Sequence, residues 1–226
     1  MRCPGGYYPL WRKMRIMAIM DTLGVIRDKN ILELGCGDGS IGNFFYYLGN
    51  TVTCCDARPE CLEEVRTRNQ AIRTVQADLN DQWPFDEHFD IILHLGTLYH
   101  LDVPAFSLQK CCEFCDQLIL DTEITGGGGE SINSLSENPP VKYAAEIEFN
   151  DHAFDGKLGD TNASGCRPTV KWVESILTIN GFEATRYTDD KYDDLGVPQT
   201  IGWKDDLNGW INGRRALWFC ERDRRE

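Results

Sequence analysis

The stretch ILELGCGDGSIG, from Ile31 to Gly42, decides the fold. The apolar run that ends at Leu34 predicts a short buried strand, and the glycine-rich turn after it leads into a helix that begins at Ser40. Glycines let backbone amides approach a ligand closely, and a helix N-terminus favours negative charge. The stretch therefore predicts a nucleotide-like ligand at the end of a buried strand.

Three further residues narrow the choice of ligand to one that contains adenosine but no phosphate. Asp56 follows Gly35 by 21 positions and ends the next predicted strand, where a carboxylate accepts hydrogen bonds from ribose hydroxyls. A dinucleotide site prefers glycine or alanine where this chain has Ser40. Glu33 would repel a pyrophosphate but not an ammonium group. These residues disfavour a nicotinamide-dependent dehydrogenase.

Strand-like and helix-like segments alternate along the chain, which is typical of a parallel sheet covered by helices. The predicted strands cover 30–34, 51–55, 72–76, 89–95, 117–121, 182–187 and 214–220, and the predicted helices cover 13–23, 40–48, 58–70, 104–114 and 168–180. The fold class expected is α/β: a doubly wound, mostly parallel, seven-stranded Rossmann-like sheet. Residues 1–226 would form one domain, with an N-terminal flap and helix at 1–29, a cofactor-binding half at 30–122, a substrate lid at 123–167 inserted after the fifth strand, and a helix with a strand pair at 168–226.

Composition and charge narrow the possible partners. The 226 residues are 42% hydrophobic, which suits one globular domain with a core, and the net charge of −13 disfavours binding to nucleic acid or to anionic membranes. The longest nearly apolar stretch, residues 89–101, is too short for a membrane helix, and the N-terminus lacks a signal-peptide core. The protein is therefore expected to be cytoplasmic.

Its ten cysteines are expected to be reduced core residues, and their spacing predicts no metal site.

The chain resembles class I S-adenosylmethionine-dependent methyltransferases over about residues 13–121 and again at the C-terminal strands. Four motifs carry the resemblance by their order and spacing, and they lie at residues 33–39, 56–58, 78–79 and 94–96. The resemblance implies S-adenosyl-L-methionine as the cofactor and a small-molecule acceptor as the partner. It also implies the cofactor-binding residues: Glu33, Gly35, Cys36, Gly37, Asp38 and Gly39 at the methionine part, Asp56, Ala57 and Arg58 at the ribose and adenosine, Asp78 and Leu79 at the adenine edge, and His94, Leu95 and Gly96 at the methyl-donor pocket.

The segment FDIILHLGTLYHLDVP, residues 89–104, is similar to small bacterial-type methyltransferases with an L-G-x-L-Y-H-L signature. Some of those proteins modify transfer RNA wobble uridines, and others accompany sugar, glycan or natural-product pathways. Residues 166–182 and 213–222 resemble the second kind more. O-methylation of a small-molecule or sugar-type acceptor is therefore expected. RNA methylation, N-methylation of a small amine and a non-enzymatic binding module remain the alternatives.

Three residues are candidates for moving a proton from the acceptor. His100 follows the fourth strand at the mouth of the site and can titrate near neutral pH. Glu123 follows the fifth strand, and His152 lies in the predicted lid. Arg167, at the predicted start of a helix, is a candidate to bind an acidic group of the acceptor. The alternative for each of the four is a structural or surface role, such as a turn hydrogen bond or a salt bridge.

Overall fold

The computed structural model describes residues 9–124, 141–144, 165–187 and 215–223. The strands in these ranges are β1 (Asn30–Leu34), β2 (Thr51–Asp56), β3 (Arg73–Gln76), β4 (Phe89–Leu95), β5 (Cys115–Glu123), β6 (Val141–Ala144), β7 (Gly165–Pro168), β8 (Phe182–Arg186) and β9 (Arg215–Arg222). The helices are α1 (Pro9–Leu23), α2 (Ser40–Tyr47), α3 (Pro59–Arg68), α4 (Pro104–Phe114) and α5 (Val170–Ile179), and a 3-10 turn covers Leu98–His100.

Seven of the described strands form one sheet in the order β3-β2-β1-β4-β5-β9-β8. The first five are parallel, and β9 runs antiparallel to both of its neighbours. The α/β class and the mostly parallel seven-stranded sheet are therefore confirmed. The strand order reverses between β1 and β4, because the chain continues from β1 to β2 on one side and β4 lies on the other.

The two faces of the sheet bury different residues because successive side chains of a strand point in opposite directions. One face packs Leu32 and Ile92 against α4 and α5, for example at Leu108. The other face packs Ile31 and its neighbours against α1, α2 and α3, for example at Phe45. Strand β4 is buried along nearly its whole length, as a central parallel strand should be.

Glycines end the two strands at the reversal point. Gly35 follows β1 with φ 61° and Gly96 follows β4 with φ 83°, in the left-handed region that favours glycine. From these turns the chain enters elements on opposite faces, α2 and α4, and so leaves a crevice between the strand ends. Ligands of doubly wound sheets bind at such a crevice.

The segment predicted as a lid contains a two-stranded antiparallel sheet in its described part. Strand β6 pairs with β7, with Lys142 opposite Arg167. Helix α5 then begins at Val170, and its N-cap Thr169 accepts a hydrogen bond from the backbone N–H of Trp172 at 3.1 Å. The prediction that Arg167 starts this helix is therefore wrong, because residues 165–168 are extended. Most of the predicted lid, residues 125–140 and 145–164, lies outside the described residues.

Most of the described cysteines follow the prediction. Seven of them are free and buried: Cys36, Cys54, Cys55, Cys111, Cys112, Cys115 and Cys220. Cys61 is disulfide-bonded, so the expectation that every cysteine is reduced is wrong at this residue. Among the described residues, no group of three or more His, Cys, Asp or Glu could hold a metal ion, and none of the described helices is long and apolar enough to cross a membrane.

Candidate functional site

A crevice open to solvent lies at the carboxyl ends of β1 to β4. Several residues predicted from the sequence line it: Gly35, Asp56, Ala57, Arg58, Asp78, Leu79, Gly96 and His100. Thr97, Asn80 and Leu101 also line it and had no role in the sequence-based prediction. The crevice therefore brings together the ends of four strands that are far apart in the sequence.

The glycine loop after β1 has two tightly packed glycines and one that is packed less tightly. Gly35, Gly37 and Gly39 all have left-handed φ angles, of 61°, 55° and 67°. A Cβ on Gly35 would lie 2.0 Å from Thr97 Oγ1, and one on Gly39 would lie 2.6 Å from a methyl group of Val65. A Cβ on Gly37 would meet only Arg12 Nη2, at 3.7 Å. The loop is therefore packed less tightly at Gly37 than at Gly35 or Gly39.

Asp56 joins this loop to the end of β2. Its side chain is 4% exposed, and its Oδ2 accepts a hydrogen bond from the backbone N–H of Gly37 at 2.8 Å. Its Oδ1 accepts from the backbone N–H of Arg58 at 3.0 Å and from the Arg58 Nε at 3.1 Å. The crevice wall thus carries a buried carboxylate, which can accept hydrogen bonds from the hydroxyls of a ligand.

Three predicted cofactor contacts turn inward and shape the loop from beneath. Glu33 Oε2 accepts from the backbone N–H of Gly42 at 2.8 Å, and burial raises the pKa of Glu33 to about 7. Asp38 Oδ1 accepts from the backbone N–H of Ser40, the first residue of α2, at 3.0 Å. Cys36 is 5% exposed, with its thiol 3.5 Å from the Gly37 carbonyl oxygen. Their side chains hold the loop and do not line the crevice.

The residues at the end of β4 differ in the direction of their side chains. His94 is fully buried, its Nε2 lies 3.0 Å from Ser107 Oγ on α4, and burial lowers the pKa of its imidazole to about 4. Leu95 is buried in the apolar cluster on the opposite face. Neither side chain lines the crevice, whereas the Gly96 backbone does. His94 is therefore a neutral core residue beneath α4.

The candidate proton acceptors lie in different surroundings. His100 lines the crevice, and its ring centroid lies 4.0 Å from that of Tyr99. Glu123 instead accepts hydrogen bonds from Arg167 Nε at 2.8 Å and from Arg215 Nη1 at 3.3 Å. The structure thus brings His100 to the crevice and engages Glu123 in ion pairs beside it. His152 lies outside the described residues.

A buried ionic cluster behind this end of the crevice was missed from the sequence. Arg15 Nε donates to Asp121 Oδ2 at 2.6 Å, and Arg215 Nε donates to the other carboxylate oxygen at 3.3 Å. The Arg215 guanidinium also lies 5.0 Å above the Tyr99 ring. The signal available in the sequence was a charged residue among the apolar positions of α1 and another at the end of the apolar strand β5. The cluster fixes α1 and β9 against the crevice.

Part of the chain matches a known protein family. Residues 31–116 match the family described as methyltransferase domain. Curated relatives include the ubiquinone biosynthesis O-methyltransferase of Shewanella sp. (strain ANA-3), which is 27% identical over 112 residues, or 46% of each chain. The same enzyme of Yersinia pestis (strain Pestoides F) is 27% identical over 116 residues, or 48% of each chain. The chain thus spans about half the length of the curated relatives it matches.

Solved structures show the same fold over nearly the whole chain. The Burkholderia thailandensis 1,6-didemethyltoxoflavin-N1-methyltransferase, with S-adenosylhomocysteine bound, is 17% identical, has a TM-score of 0.58, and the match covers 95% of this chain and 78% of that one. An S-adenosylmethionine-dependent methyltransferase from Mesorhizobium loti is 15% identical, has a TM-score of 0.64, and the match covers 91% and 96%. The N-terminal domain of EvdMO1, crystallised with S-adenosylhomocysteine and D-fucose, is 18% identical, has a TM-score of 0.64, and the match covers 95% and 84%. Residues 31–116 are therefore similar to a methyltransferase domain, and the chain shares the fold of these enzymes.

Proposed function

We propose that this protein transfers the methyl group of S-adenosyl-L-methionine to a hydroxyl of a small-molecule or sugar-type acceptor. The observation that carries the proposal is the buried Asp56 carboxylate in the wall of the crevice, which also accepts a hydrogen bond from the backbone N–H of the less tightly packed Gly37. A nucleoside without phosphates fits this combination, because its sugar needs hydrogen-bond acceptors and its chain needs close approach to the backbone. Asp78 and Leu79, at the other side of the crevice, would contact the adenine edge.

The hydrogen bonds at the start of α2 argue against a dinucleotide. A pyrophosphate would bind at the N-terminus of the helix after β1. Here Asp38 Oδ1 already accepts from both the backbone N–H of Ser40, at 3.0 Å, and its hydroxyl, at 2.6 Å. Asp38 also pairs with Arg12 at 2.7 Å and with Arg68 at 3.4 Å, so its charge is balanced. The occupied N–H of Ser40 is therefore what disfavours a pyrophosphate at this helix start.

For catalysis, the protein mainly has to align the acceptor with the methyl donor and exclude water. The donor itself needs little activation. Bound S-adenosyl-L-methionine would supply a methyl group that is already activated for in-line displacement. A hydroxyl acceptor must also lose its proton, and a positioned base assists that step. His100 is our proposed base, because its side chain lines the crevice. Glu123 suits the role less, because two guanidinium groups already share its carboxylate.

The acceptor is proposed from chemistry and from similar proteins. The two curated relatives are named as O-methyltransferases, and EvdMO1 was crystallised with a sugar. The toxoflavin enzyme is named as an N1-methyltransferase, so methylation of nitrogen is the alternative. We further propose that residues 123–167 cover the acceptor, because β7 of this segment reaches Glu123 through Arg167. His152 in the same segment remains a proposed second base.

Calorimetric titration tests the cofactor assignment directly. The full chain is titrated with S-adenosylhomocysteine and, separately, with NAD, and we expect saturable binding of the first alone. Tighter binding of NAD would replace the methyltransferase assignment by a dinucleotide site. Methyl transfer from radiolabelled S-adenosylmethionine to a panel of catechols, free sugars and amines then distinguishes oxygen from nitrogen acceptors.

A further inference from the structure

The Arg58 side chain occupies the carboxylate that the proposed function reserves for ribose. Its Nε lies 3.1 Å from Asp56 Oδ1 and its Nη2 lies 3.4 Å from Asp56 Oδ2. Both residues line the crevice. Among the described residues, the Arg58 guanidinium donates hydrogen bonds only to Asp56. The ribose hydroxyls and this guanidinium therefore require the same two oxygen atoms.

Burial explains why the pair forms without a ligand. The Asp56 side chain is 4% exposed, and a buried carboxylate with too few partners is destabilising. Two of its hydrogen bonds come from the backbone, from the N–H groups of Gly37 and Arg58, and do not depend on the Arg58 side chain. The guanidinium supplies the remaining ones and is 18% exposed, at the edge of the crevice. It can therefore leave toward solvent while the backbone contacts stay.

We propose that Arg58 is a specificity-determining residue that competes with the ribose diol for Asp56. A ligand with two adjacent hydroxyls replaces both guanidinium hydrogen bonds and displaces the side chain. A nucleoside without these hydroxyls cannot replace the hydrogen bonds that the guanidinium donates to the Asp56 carboxylate, so the Arg58–Asp56 pair persists. The inference rests on the proposed function, since it takes Asp56 as the ribose contact.

Competition has a measurable signature. The affinity for a ligand that needs an open carboxylate is lowered by the fraction of molecules in which Arg58 covers it. Removing the guanidinium should therefore strengthen the binding of ribonucleosides and leave nucleosides without the diol nearly unchanged. A merely structural arginine would change both affinities equally.

The test compares adenosine with 2′,3′-dideoxyadenosine in wild-type protein and in Arg58→Met, which keeps the aliphatic stem. The control variant is Arg66→Met on the same helix, whose guanidinium pairs with Glu63 on the exposed surface. Affinities are measured by titration calorimetry at pH 8 for all three proteins. We expect Arg58→Met to raise the ratio of adenosine to dideoxyadenosine affinity about fivefold or more, and Arg66→Met to leave it unchanged.

Each outcome decides the inference. A raised ratio in Arg58→Met alone supports it. An unchanged ratio, or weaker adenosine binding in Arg58→Met, overturns it and leaves the methyltransferase assignment standing, provided that S-adenosylhomocysteine still binds to the wild-type protein. If neither adenosine nor S-adenosylhomocysteine binds to the wild-type protein, the proposed function fails as well. A circular dichroism spectrum of each variant verifies that it is folded.

Discussion

At the scale of single residues, the sequence predicted where a residue lies in the fold better than what its side chain does there. Asp56 was expected to end β2 and does so with its carboxylate in the crevice wall. His94 was expected at the methyl-donor pocket because it lies near the end of β4. The pleat of the strand instead turns its imidazole toward Ser107, beneath α4. The face of the sheet on which a side chain lies depends on the register of the whole sheet. The residues around His94 alone therefore do not predict it.

Asp56→Ala tests the ribose contact. We expect the affinity for S-adenosylhomocysteine to fall by about 2–4 kcal/mol, because charge-assisted hydrogen bonds to two hydroxyls are lost. The control is Glu113→Ala, which removes an exposed carboxylate on α4 that pairs with Lys110. Equal affinity of Asp56→Ala and wild-type protein, measured by calorimetry, would remove Asp56 from the site.

Glu33 makes stability depend on pH. Burial raises its pKa in the folded protein from 4.5 to about 7, so the folded state favours the protonated carboxyl group. This contribution is complete below pH 4.5 and is lost as the pH rises through 7. Glu33→Gln keeps the shape without the charge, so the free energy of unfolding of the variant should rise relative to wild type by about 2–3 kcal/mol between pH 5 and pH 8. Urea denaturation at both pH values measures it, and a difference that is constant with pH would contradict the assignment.

At the scale of elements, hydrophobic patterns found the helices and strands of the main sheet but not the short hairpin. The predicted and observed bounds of β1 and β4 coincide, because each is an apolar run between clear turns. Strands β6 and β7 have four residues each, which is too short for a period to emerge. Arg167 was consequently placed at the start of a helix, although Thr169 is the residue that caps it.

The glycine loop gives a prediction with a matched control. Gly37→Ala and Gly24→Ala both place a Cβ at a left-handed φ, of 55° and 70°, with no close contact to displace. Each should cost about 1–2 kcal/mol of stability through backbone strain. Only Gly37→Ala should weaken the binding of S-adenosylhomocysteine, by tenfold or more, because its methyl group enters the space proposed for the ligand. Similar affinities of the two variants would show that the ligand does not approach Gly37.

At the scale of the whole molecule, charge and topology carry the functional argument. A net charge of −13 leaves few basic residues to form a positively charged groove along a phosphate backbone. The reversal of strand order between β1 and β4 places the crevice, and this could be inferred from the alternation of strands and helices. The ionic cluster of Arg15, Asp121 and Arg215 could not be inferred, because its members are separated by as many as 200 positions and meet only in the folded chain.

The charge leads to a prediction about RNA. In a filter-binding assay with bulk transfer RNA at about 50 mM salt, we expect no retention above that of a neutral control protein, since too few phosphates would be neutralised. Retention that falls steeply with added salt would favour the RNA methyltransferase alternative. The same assay with the S-adenosylhomocysteine complex tests whether the cofactor creates an RNA surface.

A crystal structure with S-adenosylhomocysteine bound is the most direct measurement of the account. It should show the nucleoside lying across the ends of β1 and β2, with both ribose hydroxyls on the Asp56 carboxylate and the sulfur directed toward Gly96. A crevice without the nucleoside under saturating ligand, or the nucleoside held elsewhere on the protein, would contradict the assignment of the site and of the methyl-transfer function that rests on it.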